Sequence, residues 1–484
     1  MKLMVPCNWD IELIERTKDY PIYDYYGAMH TSPIGHGRPA LIIPKVSKEK
    51  VRDFINRVHE YDRRFSYVLN SPNMANLEFE PKFHRKILEY LQWLVDIEVD
   101  SVHVSNPFLM EIIIEQFPDL EVGVSVICGV DSVEMARRFE EMGVHSMNLS
   151  LEINRDFEVL KAIRKVVKVP LVIIPNLADL RRCHYRQYHY SILGYASQTQ
   201  SMEKAYRYWA LQPCKMQCNE KKLSEPIEII KSCFIRPEDL KYYDDIGIDI
   251  YKLSGRHQNN KWIERAIEAY ASRKSPDNLA DVIDTIVLNN NYTEEFHYDY
   301  ILKSDKEIKA VPEFYSWSSI NIDQSKLITI DSKGLEGFMD FFVKGGCNAS
   351  KDCEDCGYCE EWVEKVIKID QELAQIYLTA IKQHRNALRR SKFANKYEKI
   401  QWDPEVKAFF EKFTDNFPPN LKSLARASII AQTEENSRER DSEIVNKGDL
   451  IKAFIKRVPP EYKTAMINAM DAMGIDIENY IDNA

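Results

Sequence analysis

The sequence predicts an α/β fold: an irregular (β/α)8 TIM-like barrel, then a cysteine-rich linker, then a small all-α C-terminal domain. Three observations predict it. Short β-branched apolar runs alternate with amphipathic helical stretches through residues 1–260. Such alternation implies parallel strands joined by helical crossovers, and about eight units fit that length, as in a barrel. No glycine-rich phosphate turn follows the first run, which argues against the rival, a doubly wound open sheet.

The strand candidates are Lys2–Pro6, Ala40–Ile43, Ser66–Leu69, Ser101–Val104, Val122–Ile127, Ser146–Leu151, Pro170–Ile174, Ile229–Phe234 and Ile248–Leu253. Each has the length and composition of a buried strand. Helices are expected over Glu89–Val95, over Asp131–Met142 with Asp131 as N-cap and Gly143 as stop, and over Asp156–Val166, where Phe157, Leu160, Ile163 and Val166 share a face. Chemistry in a barrel sits at the C-terminal strand ends. Asn106, Glu152, Asn154, Asn176, Cys183, Cys233, Arg236, Ser254 and Arg256 fall there.

A long insert follows the seventh strand candidate, from about Leu177 to Lys222. It exceeds ordinary loops, and its many tyrosines argue against disorder. Glu203–Leu211 reads as a short helix leading into Cys214. Cys183, Cys214, Cys218 and Cys233 occur in this region with spacing C-x30-C-x3-C-x14-C. Thiols so far apart meet only if a fold brings several loops together. If they meet, they hold a metal or an iron–sulfur cluster. If they do not, they are four unrelated buried cysteines.

Trp262–Tyr270 reads as a helix with Ile263, Ala266, Ile267 and Tyr270 on one face, broken at Lys274–Asn278. A second, compact group follows: Cys347, Cys353, Cys356 and Cys359, spaced C-x5-C-x2-C-x2-C. Thiols three residues apart in a glycine-containing loop suit one ion or cluster, and the spacing does not separate zinc from [4Fe–4S]. A long helix is expected from Trp362 to about Arg390, its apolar stripe being core. Asp403-Pro404, Pro418-Pro419 and Pro459-Pro460 each open a further helix, and Arg438–Asp441 reads as a solvated charge run. The helix pattern of Trp402–Val458 resembles the small C-terminal helical domain of light-independent protochlorophyllide reductase, a resemblance that carries no function. The expected division is residues 1–270 as barrel with a cluster-binding insert at 177–233, 271–395 as linker and 396–484 as helical domain.

The chain has 484 residues, 44% apolar and 29% charged, an ordinary soluble composition. A net charge of −10 argues against non-specific nucleic-acid or anionic-membrane binding. No apolar run is long enough to span a bilayer. The first ten residues are too short and too soon polar for a signal peptide, so a cytoplasmic location is expected. In a reducing compartment the ten cysteines are better read as metal ligands than as disulfides.

The central stretch resembles the collagenase-like peptidase family U-32. The matching residues are Asn176, Cys183 with Arg186 and His189, Cys214, Cys218, Cys233 running into Arg236-Pro237-Glu238-Asp239-Leu240, and Lys252 to Arg256. Leu149-Ser150-Leu151-Glu152 resembles the family's glutamate-bearing strand. The resemblance implies a [4Fe–4S] cluster on Cys183, Cys214, Cys218 and Cys233. It also implies a part in oxygen-independent hydroxylation of ubiquinone precursors or RNA bases, and members that work in pairs. Where many members carry a further cysteine, this chain has Asp179, so the ligand set and substrate do not transfer directly.

Glu152 is a candidate acid or base, or a structural carboxylate paired to arginine. Arg236 and Arg256 are candidate grips for a carboxylate or phosphate, or ion pairs with Glu238 or Asp239. His184 and His189 stand beside Cys183, to tune a cluster or merely to line the insert. The glycine-rich stretch Gly27–Arg38, with His30 and His36, is either a cover for the barrel mouth or a flexible surface loop. Three functions follow. The first is an iron–sulfur oxidoreductase or hydroxylase acting on a small molecule or RNA base. The second is a peptidase, for which neither H-E-x-x-H nor G-x-S-x-G is present. The third is an electron-transfer or scaffold subunit with a protein partner or in a homo-oligomer.

Overall fold

The computed structural model describes residues 1–40, 43–201, 213–285, 324–347, 353–389, 400–415, 417, 419–440, 442–458, 460–477 and 480. Eight parallel strands close into a barrel: β1 (Lys2–Pro6), β2 (Ile22–Gly27), β3 (Arg64–Leu69), β4 (Ser101–Val104), β5 (Glu121–Val124), β6 (Ser146–Asn148), β7 (Leu171–Ile173) and β8 (Ile250–Lys252). Neighbours in sequence are neighbours in the sheet, and β8 returns to β1 with Met4 opposite Lys252. Closure leaves no free edge.

Local chemistry sets the crossovers. Asp156 caps the helix Phe157–Val166 by accepting from Val159 N at 3.2 Å, and Phe157, Leu160 and Ile163 are buried. Glu80 caps Pro81–Asp96, where Pro81 supplies a preset first turn and Phe83, Ile87, Tyr90, Leu91 and Leu94 face inward. Outside β1 and β3, Trp9 packs against Phe54 and Phe65 with ring centroids 5.5 Å apart in both cases.

Four expectations change. β2 is a strand that its sequence pattern does not announce, because Ile-Tyr-Asp-Tyr-Tyr-Gly carries Asp24 where an apolar residue is expected. Asp24 is buried inside the barrel and accepts from Ser66, whose hydroxyl also meets Ser101. Ile229–Phe234 is not a strand: Ile227–Lys231 is a helical turn after Pro226, burying Ile229 and Ile230. A short apolar run does not by itself distinguish the two. Ala40 lies in a turn bonded to Ala196 O rather than in a strand, and residues 41–42 lie outside the described residues. The predicted Asp131 N-cap is displaced by one: Ser132 precedes the helix Val133–Glu141. The Glu203–Leu211 helix lies outside the described residues.

The long helix expected from Trp362 is two helices. Tyr358–Val366 ends in β10 (Ile367–Ile369), which pairs antiparallel with β9 (Ile328–Ile330), and Gln371–Arg389 follows. β-Branched Ile367 and Ile369 join the ladder instead of continuing the helix.

The chain forms two compact units, Met1–Thr293 with Ile322–Ala374, and Glu294–Asn321 with Gln375–Ala484. The second contains helices Pro404–Thr414, Pro419–Glu439, Lys447–Arg457 and Pro460–Asp471 around a core that includes Phe410, Phe413, Leu450, Phe454 and Met470. Asp403 and the Asn446/Asp449 capping box fix two of the helix starts. Arg440 of the expected solvated run is held by Asp449 at 2.9 Å, and Asp441 lies outside the described residues. Among the described residues no helix is long and apolar enough to cross a membrane.

Candidate functional site

The C-terminal strand ends open into a cavity of about 140 Å³. Tyr26 from the end of β2, Asn70 after β3, Ser125 after β5, Ile174 after β7, and Ser254, Arg256 and His257 after β8 line it. The insert adds Asp179, His189, Tyr190 and Lys215, and Asp284 closes one side.

Asn176 ties two of these strand exits together. Fully buried, it accepts from Ser254 N at 2.6 Å and donates to Ser254 O at 3.1 Å, locking the β7 exit to the β8 exit. The same segment pairs with Asp284: Asp284 N donates to Asn176 O at 2.9 Å, and Ala178 N donates to Asp284 O at 3.0 Å. That places the Asp284 carboxylate 3.7 Å from His257 Nε2, both side chains 2% exposed.

The Gly27–Arg38 stretch is a packed cover, not a flexible surface loop. Ile34 and His36 are 0% exposed. His36 N donates to Ser197 Oγ at 2.7 Å, Ser71 N donates to Gly35 O, and Ser32 pairs with Gln198. At Gly35 (φ +83) a Cβ would stand 2.7 Å from Gly194 O, so the approach of cover and insert demands glycine there. Arg38 thereby enters the cavity and donates to Ser254 Oγ at 3.3 Å.

The cavity is cationic, with Arg38, Lys215, Lys252 and Arg256 against Asp179 and Asp284. Asp179 is partly neutralised by Arg186 at 3.3 Å. Burial works to raise the Asp179 carboxyl, and the charges of Arg186 and Lys222 overcome this and hold it below its ordinary range. Burial pulls the Arg256 guanidinium down to about 10, and its Nη1 is buried with no hydrogen-bond partner. Lys252 lies 4.2 Å over the Tyr26 ring and is pulled down to about 7, first by burial and then by Arg256. An unpartnered buried guanidinium edge is costly unless an anion satisfies it.

The thiols of the insert stand beside this cavity. Cys214 and Cys218 are one turn apart on the helix Pro213–Ser224, so they share a face. The Cys214 thiol is pushed up to about 11, first by burial and then by neighbouring Cys183. Cys218 is raised by burial, with Asp179 and Cys183 among its neighbours. Cys233 is also raised by burial, but the groups it faces are Arg155, Glu152, Arg181 and Arg186. All ten cysteines are free thiols. Three of the four insert thiols thus share one neighbourhood and suit a soft metal or cluster by donor chemistry. Among the described residues, no three His, Cys, Asp or Glu side chains stand as a closed metal cage.

Glu152 accepts from Arg182 N at 2.9 and 2.8 Å and from Arg186 Nη2 at 2.7 Å, so it anchors the loop carrying Cys183. Arg236 lies outside the cavity; its guanidinium is bidentate on Asp239 at 2.8 and 2.9 Å and donates to Ser332 O at 2.9 Å. His189 lines the cavity and is pulled down to about 4 by burial, hence neutral near pH 7; His184 packs on Tyr185 at 4.4 Å. Lys215, His257 and Asp284 also line the cavity and are not candidates from sequence. Only His257, next to Arg256 at a strand end, carried a signal. In the second group, Cys347, Cys353, Cys356 and Cys359 line one small cavity together with Arg181, Lys231 and Tyr358.

Comparison with known proteins bears on this arrangement. The sequence model of Peptidase family U32 matches residues 44–297. An uncharacterized protease of Methanocaldococcus jannaschii is 30% identical over 340 residues, covering 69% of this chain and 86% of its own. A solved U32 peptidase, 19% identical, covers 52% of this chain and 92% of its own with a TM-score of 0.39. A match over half the chain and a relative of this identity and coverage agree: the chain belongs to peptidase family U32.

Proposed function

We propose that this protein is an iron–sulfur-dependent oxidoreductase that works on a small organic anion in the barrel mouth, its expected reaction being oxygen-independent hydroxylation of an aromatic small molecule or RNA base. The observation that carries the reading is the buried, unpartnered Arg256 Nη1 in a cationic cavity beside Cys183, Cys214 and Cys218. A cavity of about 140 Å³ suits one six-membered ring, by the size of apolar cavities that admit benzene. Val68, Ile127 and Ile174 supply apolar walls for such a ring. Arg256 and Arg38 orient its anionic group, and Lys252 is positioned to hold or release a proton near neutral pH. Cys183, Cys214 and Cys218, with Cys233 as the fourth thiol, would hold the cluster, which when bound supplies one-electron transfer.

Peptide hydrolysis is the second reading, favoured by the names of the relatives and by the buried His257–Asp284 pair, whose His257 Nδ1 has no partner. Against it stands the chemistry of the cavity: His257 has no hydroxyl or thiol nucleophile hydrogen-bonded to it among the described residues. The test is iron and acid-labile sulfide content of anaerobically purified full chain, run beside mass-spectrometric detection of cleavage in a peptide library. Iron and sulfide that vanish in Cys218→Ala, with no cleavage, support the first reading. Cleavage that vanishes in His257→Ala, in iron-free protein, overturns it.

A further inference from the structure

The second cysteine group lies outside the matched family region of residues 44–297, and the proposed function does not use it. Its local geometry is specific. Cys353–Cys356 is one helical turn, Gly357 follows with φ 64°, and Tyr358–Val366 is a new helix. In an unbroken helix, thiols at 353, 356 and 359 would be spread over about 9 Å of rise and about 120° of the surface. The left-handed Gly357 breaks that course and turns Cys359 back toward the first two. A Cβ at Gly357 would meet nothing within 4 Å, so backbone conformation and not space selects glycine there.

Cys347 is brought to the same point from the other side. Tyr358 stacks on Phe341 at 4.0 Å and 16°, and Gly346, just before Cys347, packs so closely that a Cβ would stand 2.5 Å from the Phe341 ring. The outcome is one cavity lined by all four cysteines. Its surroundings are cationic. Arg181 Nη1 donates to Cys353 Sγ at 3.9 Å, while Arg155 and Lys231 face Cys359. Arg155 is held over Phe338 and Phe342 at 5.0 and 5.2 Å. A metal or cluster held by four thiolates is anionic, and these cations offset that charge.

We propose that Cys347, Cys353, Cys356 and Cys359 form a second metal centre, that it takes a [4Fe–4S] cluster, and that Arg181 links it to the loop of Cys183. The thiols are gathered around the cavity without standing as a closed cage, and rotation about each Cα–Cβ bond closes the set on metal binding. Zinc sites commonly present two pairs of ligands divided by a long span. Here three thiols follow at three-residue steps, the spacing by which ferredoxin-type runs grip one cluster. The Arg181 hydrogen bond to a ligand sulfur stabilises the more reduced, more negative cluster and so raises its potential.

The experiment reconstitutes full-length protein anaerobically with iron and sulfide in two variants. One carries Cys183→Ser, Cys214→Ser and Cys218→Ser; the other carries Cys356→Ser and Cys359→Ser. Cys356 is exposed, Cys359 is half-buried and neither belongs to the buried core, so the second variant is expected to retain the fold, checked by circular dichroism. The insert variant is expected to keep about four iron and four sulfide per chain. The other variant is expected to lose that same complement. Adding Arg181→Met to the insert variant is expected to shift the remaining midpoint potential to a more negative value. An insert variant without iron, or with one zinc lost on Cys356→Ser and Cys359→Ser, would overturn the cluster. An unchanged potential would overturn the link through Arg181. If wild-type iron resides only in the second group, this centre stands and the insert reading of the proposed function fails, so the two are separable.

Discussion

The Glu152 carboxylate receives the Arg186 guanidinium at 2.7 Å and the Arg182 backbone N–H at 2.9 and 2.8 Å, clasping both sides of Cys183. Arg182 has φ 51°, a left-handed conformation uncommon for a side-chain-bearing residue, and the clasp offsets its cost. Arg186 extends the clasp to Leu180 O at 2.6 Å. Glu152 therefore acts through the loop on the thiol. Glu152→Ala is expected to cost about 1–3 kcal/mol of local stability from lost charge-assisted bonds. The checks are faster hydrogen exchange over residues 180–186 and reduced metal content, with barrel circular dichroism unchanged. Wild-type exchange in that loop would sink the idea.

Arg256 presents a guanidinium edge to the cavity with no protein partner, so substitution should be felt by ligand more than by fold. Arg256→Ala is expected to weaken binding of a small aromatic carboxylate at least tenfold, about 1.4 kcal/mol, as one charge-assisted pair is lost. Arg256→Lys is expected to restore little, because an ammonium cannot reproduce the planar fork. Isothermal titration of benzoate-class ligands checks both. Equal affinity in all three proteins would remove Arg256 from the site.

The sequence shows much of the frame and only part of this site, for physical reasons. β1 is legible to the residue because Leu3, Met4 and Val5 form a continuous buried apolar run, and β4 because its valines, Val102 and Val104, alternate with Ser101 and His103. β2 is not, because Asp24 interrupts its apolar pattern, a carboxylate that the barrel interior accommodates through the Ser66 hydroxyl. Arg256 is legible as a charged residue just beyond a strand. Asp284 is not: it comes from a segment more than a hundred residues from Asn176 and meets it through backbone pairing, which leaves no mark on side-chain pattern. The two cysteine groups are legible as groups. That Cys233 faces Arg155 and Glu152 depends on the turn at Ile227–Lys231, read from sequence as a strand.

Anion binding should depend on pH through Lys252. The groups facing it are Arg256, Asp24, His103 and Tyr26. Arg256 stays charged to about 10, Tyr26 stays neutral to about 12, and burial holds His103 neutral by pulling it well below its ordinary range. Lys252 loses its positive charge as pH rises through about 7. Asp24, raised to about 7 by burial, gains a negative charge over the same interval. Lys215, pulled down to about 7 by burial, loses charge alongside Lys252. All three changes disfavour an anion, so affinity is highest below pH 7 and falls above it. Between pH 6 and pH 8.5 a loss on the order of tenfold is expected. Titration across that range checks it. Lys252→Met should lower affinity at pH 6 and reduce the slope, and a wild-type affinity that rises with pH would contradict the assignment.

Arg236 gives the opposite pattern. Its bidentate pair with Asp239 is 9% and 5% exposed, and its third bond, to Ser332 O, ties the barrel to the segment leading to the second cysteine group. Removing the guanidinium leaves Asp239 buried and uncompensated, a change that costs about 3–5 kcal/mol when one partner of a buried pair is deleted. Arg236→Ala is expected to lower the unfolding free energy measured in urea by that amount while leaving anion affinity at the mouth within twofold of wild type. The double variant Arg236→Met with Asp239→Leu is expected to recover much of the loss, because no charge is then stranded. Loss of anion affinity in the double variant, with stability regained, would show that Arg236 contributes to ligand binding as well as to the fold.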